Sequence, residues 1–135
     1  MKISSRFRYG LRLLVDLGMN YGKGPVLLKN IAACEHISKK YLEQIVITLR
    51  TAGLIGATRG LKGGYYLTRA PSKIKVGDIY RILEGSFAPV DCLDNPHICS
   101  LVKTCPTQKL WAELEKATRK VFGTLTLADL TKKSE

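Results

Sequence analysis

The sequence predicts a mainly α-helical fold with a small two-stranded β wing: a winged helix-turn-helix followed by a long C-terminal dimerisation helix. Apolar stripes of helical period recur in three segments before Gly53, the third opened by Ser38. Two short β-patterned runs then flank Gly60-Leu61-Lys62-Gly63-Gly64, the composition of a hairpin tip. Late in the chain Leu110, Leu114, Ala117 and Val121 fall at i, i+4, i+7 and i+11, the spacing of a seam that packs on another helix.

Each element follows in order. The first helix is expected from Ser5 to Tyr21, with Leu11, Leu14, Val15 and Gly18 on one face. Gly22-Lys23-Gly24-Pro25 ends it, because glycine and proline both disfavour continuation. A short second helix covers Leu27 to Cys34, with Leu28, Ile31 and Ala32 inward, and His36 and Ile37 make the turn. Ser38 caps a third helix from Lys39 to Ala52, since its hydroxyl can accept from a free backbone N–H. The stripe of that helix is Leu42, Ile45, Val46 and Leu49, and Gly53 terminates it. Leu54–Arg59 and Tyr65–Thr68 are the strands, and Pro71 begins a linker. A fourth helix spans Val76 to Leu83 and stops at Gly85. Ser86–Pro106 has no period and contains three prolines. The long helix runs from Thr107 to Phe122, ended by Gly123, and Thr126 with Asp129 caps a last turn.

The 135 residues suffice for a compact domain with an appendage. No apolar run reaches the ~18 residues of a membrane span, and Arg6, Arg8 and Arg12 interrupt any signal-peptide core. A cytoplasmic protein is expected, without a membrane or small-molecule substrate as partner. The net charge of +11 is one-sided: residues 1–75 hold 14 of the 22 Lys and Arg but three of the 11 acids, whereas residues 76–135 balance. A polyanion-binding module over 1–75 is thereby expected to be joined to a neutral thiol-bearing and dimerising part over 76–135. A solvated basic face is the bland alternative.

The order of elements places a reading helix against double-stranded DNA. Such a helix packs one face on its domain and offers polar side chains to the major groove from its first turns. Ser38, Lys39, Lys40, Glu43 and Gln44 lie there, off the apolar stripe. Lysine suits guanine acceptors, glutamine suits adenine, and Glu43 can accept from cytosine or repel phosphate. Arg59 and Lys62 at the hairpin tip suit a minor groove, where the potential is most negative. The competing reading of Lys39, Lys40 and Glu43 is an i,i+4 surface ion-pair ladder. Lys2, Arg6, Arg8, Lys29 and Arg50 are expected to touch phosphates or nothing.

Cys92, Cys99 and Cys105 lie within fourteen residues. Zinc knuckles prefer ligands two to four residues apart, and the looser spacing here suits an iron–sulfur cluster. Zinc and unligated redox thiols stay open on this chemistry. A fourth ligand is sought among His97, Gln108, Asp91, Asp94 or a partner residue. Cys34 reads as a buried core thiol. No Cys-x-x-Cys pair, catalytic dyad or phosphate loop is present, so no enzyme is expected.

Arg8-Tyr9-Gly10, Tyr41-Leu42-Glu43-Gln44, Leu49-Arg50, Gly53-Leu54, Arg59-Gly60 and Gly63-Gly64-Tyr65, with the three cysteines before Leu110-Trp111, together resemble the Rrf-two family of bacterial transcription regulators. The resemblance covers nearly the whole chain. It implies a homodimer on a pseudo-palindromic operator, acting as a repressor that senses iron–sulfur status, redox or nitric oxide. It implies a 2Fe–2S or 4Fe–4S cluster held by Cys92, Cys99 and Cys105. The gap from Cys92 to Cys99 is one residue longer than in the family's iron–sulfur regulators, and Gln108 stands where they carry a histidine. Arg8 stands where its nitric-oxide sensors carry a ligating aspartate. The alternative is a cluster-free regulator that senses by thiol oxidation or through a protein partner.

Overall fold

The computed structural model describes residues 2–132, ordered as α1 (Ser5–Met19), α2 (Leu28–Glu35), α3 (Lys39–Thr51), β1 (Ile55–Thr58), β2 (Gly64–Leu67), α4 (Val76–Glu84), α5 (Asp91–Asp94), α6 (Gln108–Thr124) and α7 (Leu127–Leu130). Single 3₁₀ turns occupy Pro71–Lys73 and Pro96–Ile98. The mainly helical fold with a two-stranded antiparallel wing is the one expected from the pattern.

Ser4 caps α1, accepting from the Phe7 N–H at 3.1 Å. The face that α1 buries differs from the expected one. Phe7, Gly10, Leu13, Leu14 and Leu17 are buried, whereas Leu11, Val15 and Gly18 are only half-buried. The reason is tertiary: α3 and α4 both pack on α1, and they close on Gly10 rather than on Leu11. A Cβ at Gly10 would lie 2.5 Å from Leu83 Cδ1. The Tyr9 and Tyr41 rings meet edge-on, centroids 5.6 Å apart, and join α1 to the first turn of α3.

Leu28 and Ile31 of α2 join Leu42, Ile45, Val46 and Leu49 of α3 in one core with α1. His36 adopts a left-handed conformation (φ 55°), which turns the chain between α2 and α3 and buries Ile37. Gly53 (φ 82°) ends α3 as expected. Val76, Ile79 and Leu83 of α4 and Leu127 of α7 enter the same core, so α7 packs back on α1. The return is held by main-chain bonds: Val76 N–H donates to Leu125 O (3.0 Å) and Leu127 N–H to Ile74 O (2.8 Å). Thr126 and Asp129 form the expected capping box of α7.

Two expectations need correction. Gly123 does not end the long helix, which continues to Thr124; no side chain crowds that position, and the extended Leu125 stops it. Cys34 is exposed, not a core thiol, because α2 turns only Leu28 and Ile31 fully inward.

Candidate nucleic-acid interface and thiol segment

The exposed face of α3 is polar at its start. Ser38 accepts from the Tyr41 N–H at 3.4 Å, which satisfies one of the free donors of the first turn. Ser38, Lys39, Lys40, Glu43 and Gln44 are all exposed. Lys39 and Glu43 form the i,i+4 pair at 3.8 Å, with both side chains about half exposed. A pair this open is worth about 0.3–0.5 kcal/mol and breaks readily before a stronger partner. Ile47 continues the face and is 65 % exposed. It lies off the stripe of Leu42, Ile45, Val46 and Leu49, and residue type alone gives an isoleucine no reason to face outward.

Arg6 is a clip rather than a phosphate contact. Its Nε donates to Leu83 O at 3.2 Å and its Nη2 to Thr48 Oγ1 at 2.7 Å, tying α1, α4 and α3 together. Arg12 is paired with Glu35 at 3.1 Å and also bonds the Glu35 carbonyl, bracing α2 against α1. Arg6 thus fixes α3 against α1 and α4, and Arg12 fixes the end of α2 against α1.

The wing is aimed by main chain. β1 and β2 pair from Ile55↔Leu67 to Thr58↔Gly64. Val26 and Tyr65 exchange two hydrogen bonds of 2.8 Å, stapling the wing to the segment before α2. Gly64 (φ 151°) makes this approach possible, since a Cβ there would lie 2.4 Å from Val26 O. Arg59 and Lys62 stand exposed at the tip. No acid occurs between Glu43 and Asp78, a stretch with six Lys and Arg. The exposed face of α3 and the wing are both rich in Lys and Arg and poor in acids, a charge balance that suits a polyanion.

The thiol segment has more local structure than its lack of period predicts. Asp91–Asp94 forms one helical turn, α5, carrying Cys92, and Asn95 accepts from the His97 N–H to start the following 3₁₀ turn. Cys92 and Cys105 are half-buried, and Cys99 and His97 are exposed. Gln108 is the half-buried first residue of α6. Among the described residues, no three His, Cys, Asp or Glu side chains gather around a common point. Three thiols are soft donors that suit an iron–sulfur cluster in kind, and the exposed stretch between them leaves room to gather. The Cys105 sulfur lies 3.1 Å from Thr107 Oγ1, and hydrogen bonding from Thr107 holds this thiol below its usual value. Lower thiol pKa means more thiolate, the form that ligates and reacts.

The segment is wired to the basic unit by aromatic side chains. Phe87 stacks on Tyr80 of α4, centroids 4.8 Å apart at 13°. Tyr80 meets Phe7 of α1 edge-on at 5.0 Å, and Phe122 of α6 touches Phe7, Tyr80 and Phe87 at 5.3–5.9 Å. The Arg81 and Arg119 guanidiniums lie 5.2 and 5.4 Å from the Phe87 ring. Sequence spacing carries no signal for this cluster, because its four rings come from three separate helices and the loop that follows α4.

Comparison with known proteins agrees with this geometry. The model of the Rrf2 family, an iron-dependent transcriptional regulator, matches residues 3–133. Protein rrf2 of Nitratidesulfovibrio vulgaris is 42% identical over 130 residues, 96% of this chain and 87% of that protein. The regulator CymR of Bacillus subtilis is 41% identical over 96% of this chain and 89% of its own length. Its structure, that of the global cysteine regulator of B. subtilis, superposes with a TM-score of 0.84, covering 100% of this chain and 99% of that one. The IscR structure from T. potens gives 0.80 at 39% identity, over 96% of this chain and 85% of that one. The chain belongs to the Rrf2 family of DNA-binding transcription regulators, and its work is the control of transcription rather than catalysis.

Proposed function

We propose that this protein is a homodimeric repressor that joins operator binding to an iron–sulfur cluster on Cys92, Cys99 and Cys105. One observation carries the reading: the three-thiol segment begins five residues after Phe87, whose ring stacks on Tyr80 and through it on Phe7 of the DNA-binding unit. The cluster, of 2Fe–2S or 4Fe–4S type, supplies a centre that reacts with oxygen or nitric oxide when bound. His97 or Gln108 provides the fourth ligand. Gathering residues 92, 99 and 105 at one point restrains the segment that leads into α6. Phe87 then holds its place on Tyr80, and α4 keeps α1 and the Arg6 clip in register with α3.

Residues 1–75 perform DNA binding and residues 76–135 perform sensing and pairing. The pairing surface is α6, which has no fully buried residue and leaves Leu110 and Val121 60 % and 54 % exposed. Two copies joined along Leu110, Leu114, Ala117 and Val121 present two α3 helices to a pseudo-palindromic operator with half-sites about 34 Å apart. Lys40 and Gln44 read base edges, Glu43 discriminates, and Ser38 and Lys39 hold phosphate. Arg59 and Lys62 occupy the minor groove. The place of work is the bacterial cytoplasm, where the promoters are.

A second reading has its own support. The thiols are not gathered, Cys105 is biased toward thiolate, and one relative is a global cysteine regulator. Without a cluster, a disulfide between two of these thiols, formed as a peroxide takes up their two electrons and two protons and is reduced to water or alcohol, would restrain the same segment. Anaerobic purification separates the two. The cluster reading expects a brown protein with iron and sulfide, bleached by air or nitric oxide, and a colourless Cys92→Ala/Cys99→Ala/Cys105→Ala variant. A wild-type protein that stays colourless and iron-free after reconstitution sinks it and leaves thiol oxidation.

A further inference from the structure

We propose that Leu61 is an apolar wedge for the DNA minor groove: its side chain enters beside each α3 half-site, packs between the deoxyribose walls, and selects flanking base steps by groove width and deformability. Leu61 is 103 % exposed, whereas no other large hydrophobic residue among those described exceeds 65 %. It sits at the corner of a tight turn, Gly60-Leu61-Lys62-Gly63, closed by a Gly63 N–H to Gly60 O bond of 3.0 Å. The two corner residues, Leu61 and Lys62, are the furthest from the wing's ladder.

This tip is aimed. A Cβ at Gly63 would lie 2.4 Å from Thr58 O and 2.9 Å from Gly60 O, so the turn folds tightly on its own stem. The stem is stapled to Val26 through Tyr65. A leucine in that place buries nothing in the free protein. Its surroundings name its partner. Arg59 and Lys62 flank it, and no acid lies between Glu43 and Asp78. A second copy of this chain, itself at +11, meets like charge there. A duplex meets opposite charge, and its minor groove is the place where phosphates line both sides of an apolar sugar wall. Aliphatic wedges inserted there part base steps and bend the helix, most easily at flexible pyrimidine–purine steps. Lysine and arginine at the tip respond to potential, and Leu61 responds to shape.

The proposal rests on the DNA-binding function and is independent of the thiol chemistry. Duplexes are selected from a random-core pool by the full-length wild-type protein. Leu61→Ala, Leu61→Met and Lys62→Ala are then compared on them for affinity across a salt series and for bending by energy transfer between end dyes. Leu61→Ala is expected to bind selected duplexes about tenfold more weakly. Its salt slope stays unchanged, its bend is smaller and its preference at the flanks is relaxed, while Leu61→Met keeps most of each. Lys62→Ala weakens all duplexes alike and lowers the salt slope by about one. Full exposure of Leu61 keeps the fold out of the comparison, which circular dichroism checks. Equal affinity, bend and flank preference for Leu61→Ala and wild type overturn the proposal. So does a Leu61→Ala variant that changes only self-association on a sizing column. Failure of the wild-type protein to enrich any sequence removes the DNA-binding reading as well.

Discussion

Lys40 and Gln44 lie one turn apart on the exposed side of α3, and Ile47 completes that side with an apolar surface of the kind that suits a thymine methyl. Gln44→Ala is expected to cost about 1–3 kcal/mol at the base pair it reads and to relax preference there alone. A uniform loss across all sequences would show that Gln44 holds backbone instead. Asp129 makes a different kind of statement. The Thr126 N–H and hydroxyl bond its carboxylate and hold its pKa below the usual value. A depressed acid contributes stability above its unfolded pKa and loses it as pH falls through the folded one. Asp129→Ala should therefore lower the urea midpoint at neutral pH. The difference should vanish in acid, below the normal aspartate range, and a gap that persists there would argue for packing rather than charge. The exposure of Ser38, Lys39, Lys40, Glu43 and Gln44 was legible because polarity off an apolar stripe is a local signal, and that of Arg59 and Lys62 because clustered glycines mark a hairpin tip. The clip made by Arg6 was not, because its partners Thr48 and Leu83 lie 42 and 77 residues away.

Among the elements, α1 carries the most information about assembly. Its contact with α4 passes through Gly10, with Leu83 Cδ1 at 2.5 Å and Ile45 Cγ2 at 3.3 Å from the place of a Cβ. Gly10→Val is expected to destabilise the protein by about 2–3 kcal/mol, measured by urea unfolding, through overpacking and displacement of α4. An unchanged midpoint would mean that the helices separate without cost. The existence of α1, α3, α4 and α6 could be read from period, and the caps at Ser38 and Thr126 from residue type. The buried face of α1 could not, since apolar residues lie on both sides of that helix and only its neighbours choose between them. The helical turn at Cys92 was hidden for a related reason: four residues are too few to show a period.

For the whole molecule, the unpartnered face of α6 is the feature to test. Leu110→Asp together with Val121→Asp should yield a folded monomer by light scattering. Its affinity for a full operator should fall to that for a half-site. A dimer that survives both changes would place the pairing surface elsewhere. The aromatic cluster predicts a separate result: Tyr80→Leu should leave α3 and the wing able to bind DNA while weakening the effect of the thiol state on affinity. Equal response to thiol state in wild type and Tyr80→Leu would show that coupling does not run through these rings.

By itself the sequence determined the class of fold, the basic half, the third helix with its polar exposed face, the wing, and the three thiols. All of these rest on residue type and short-range period, which act within a few positions of each other. The tertiary structure decided what depends on distant residues meeting: the face that α1 buries, the clip at Arg6, the main-chain staple that aims the wing, the return of Leu127 to the core, and the rings that join the thiol segment to α1. The physical reason is that packing and hydrogen bonding between separate elements are settled by shape and orientation in space, and neither is encoded in the spacing of any one segment.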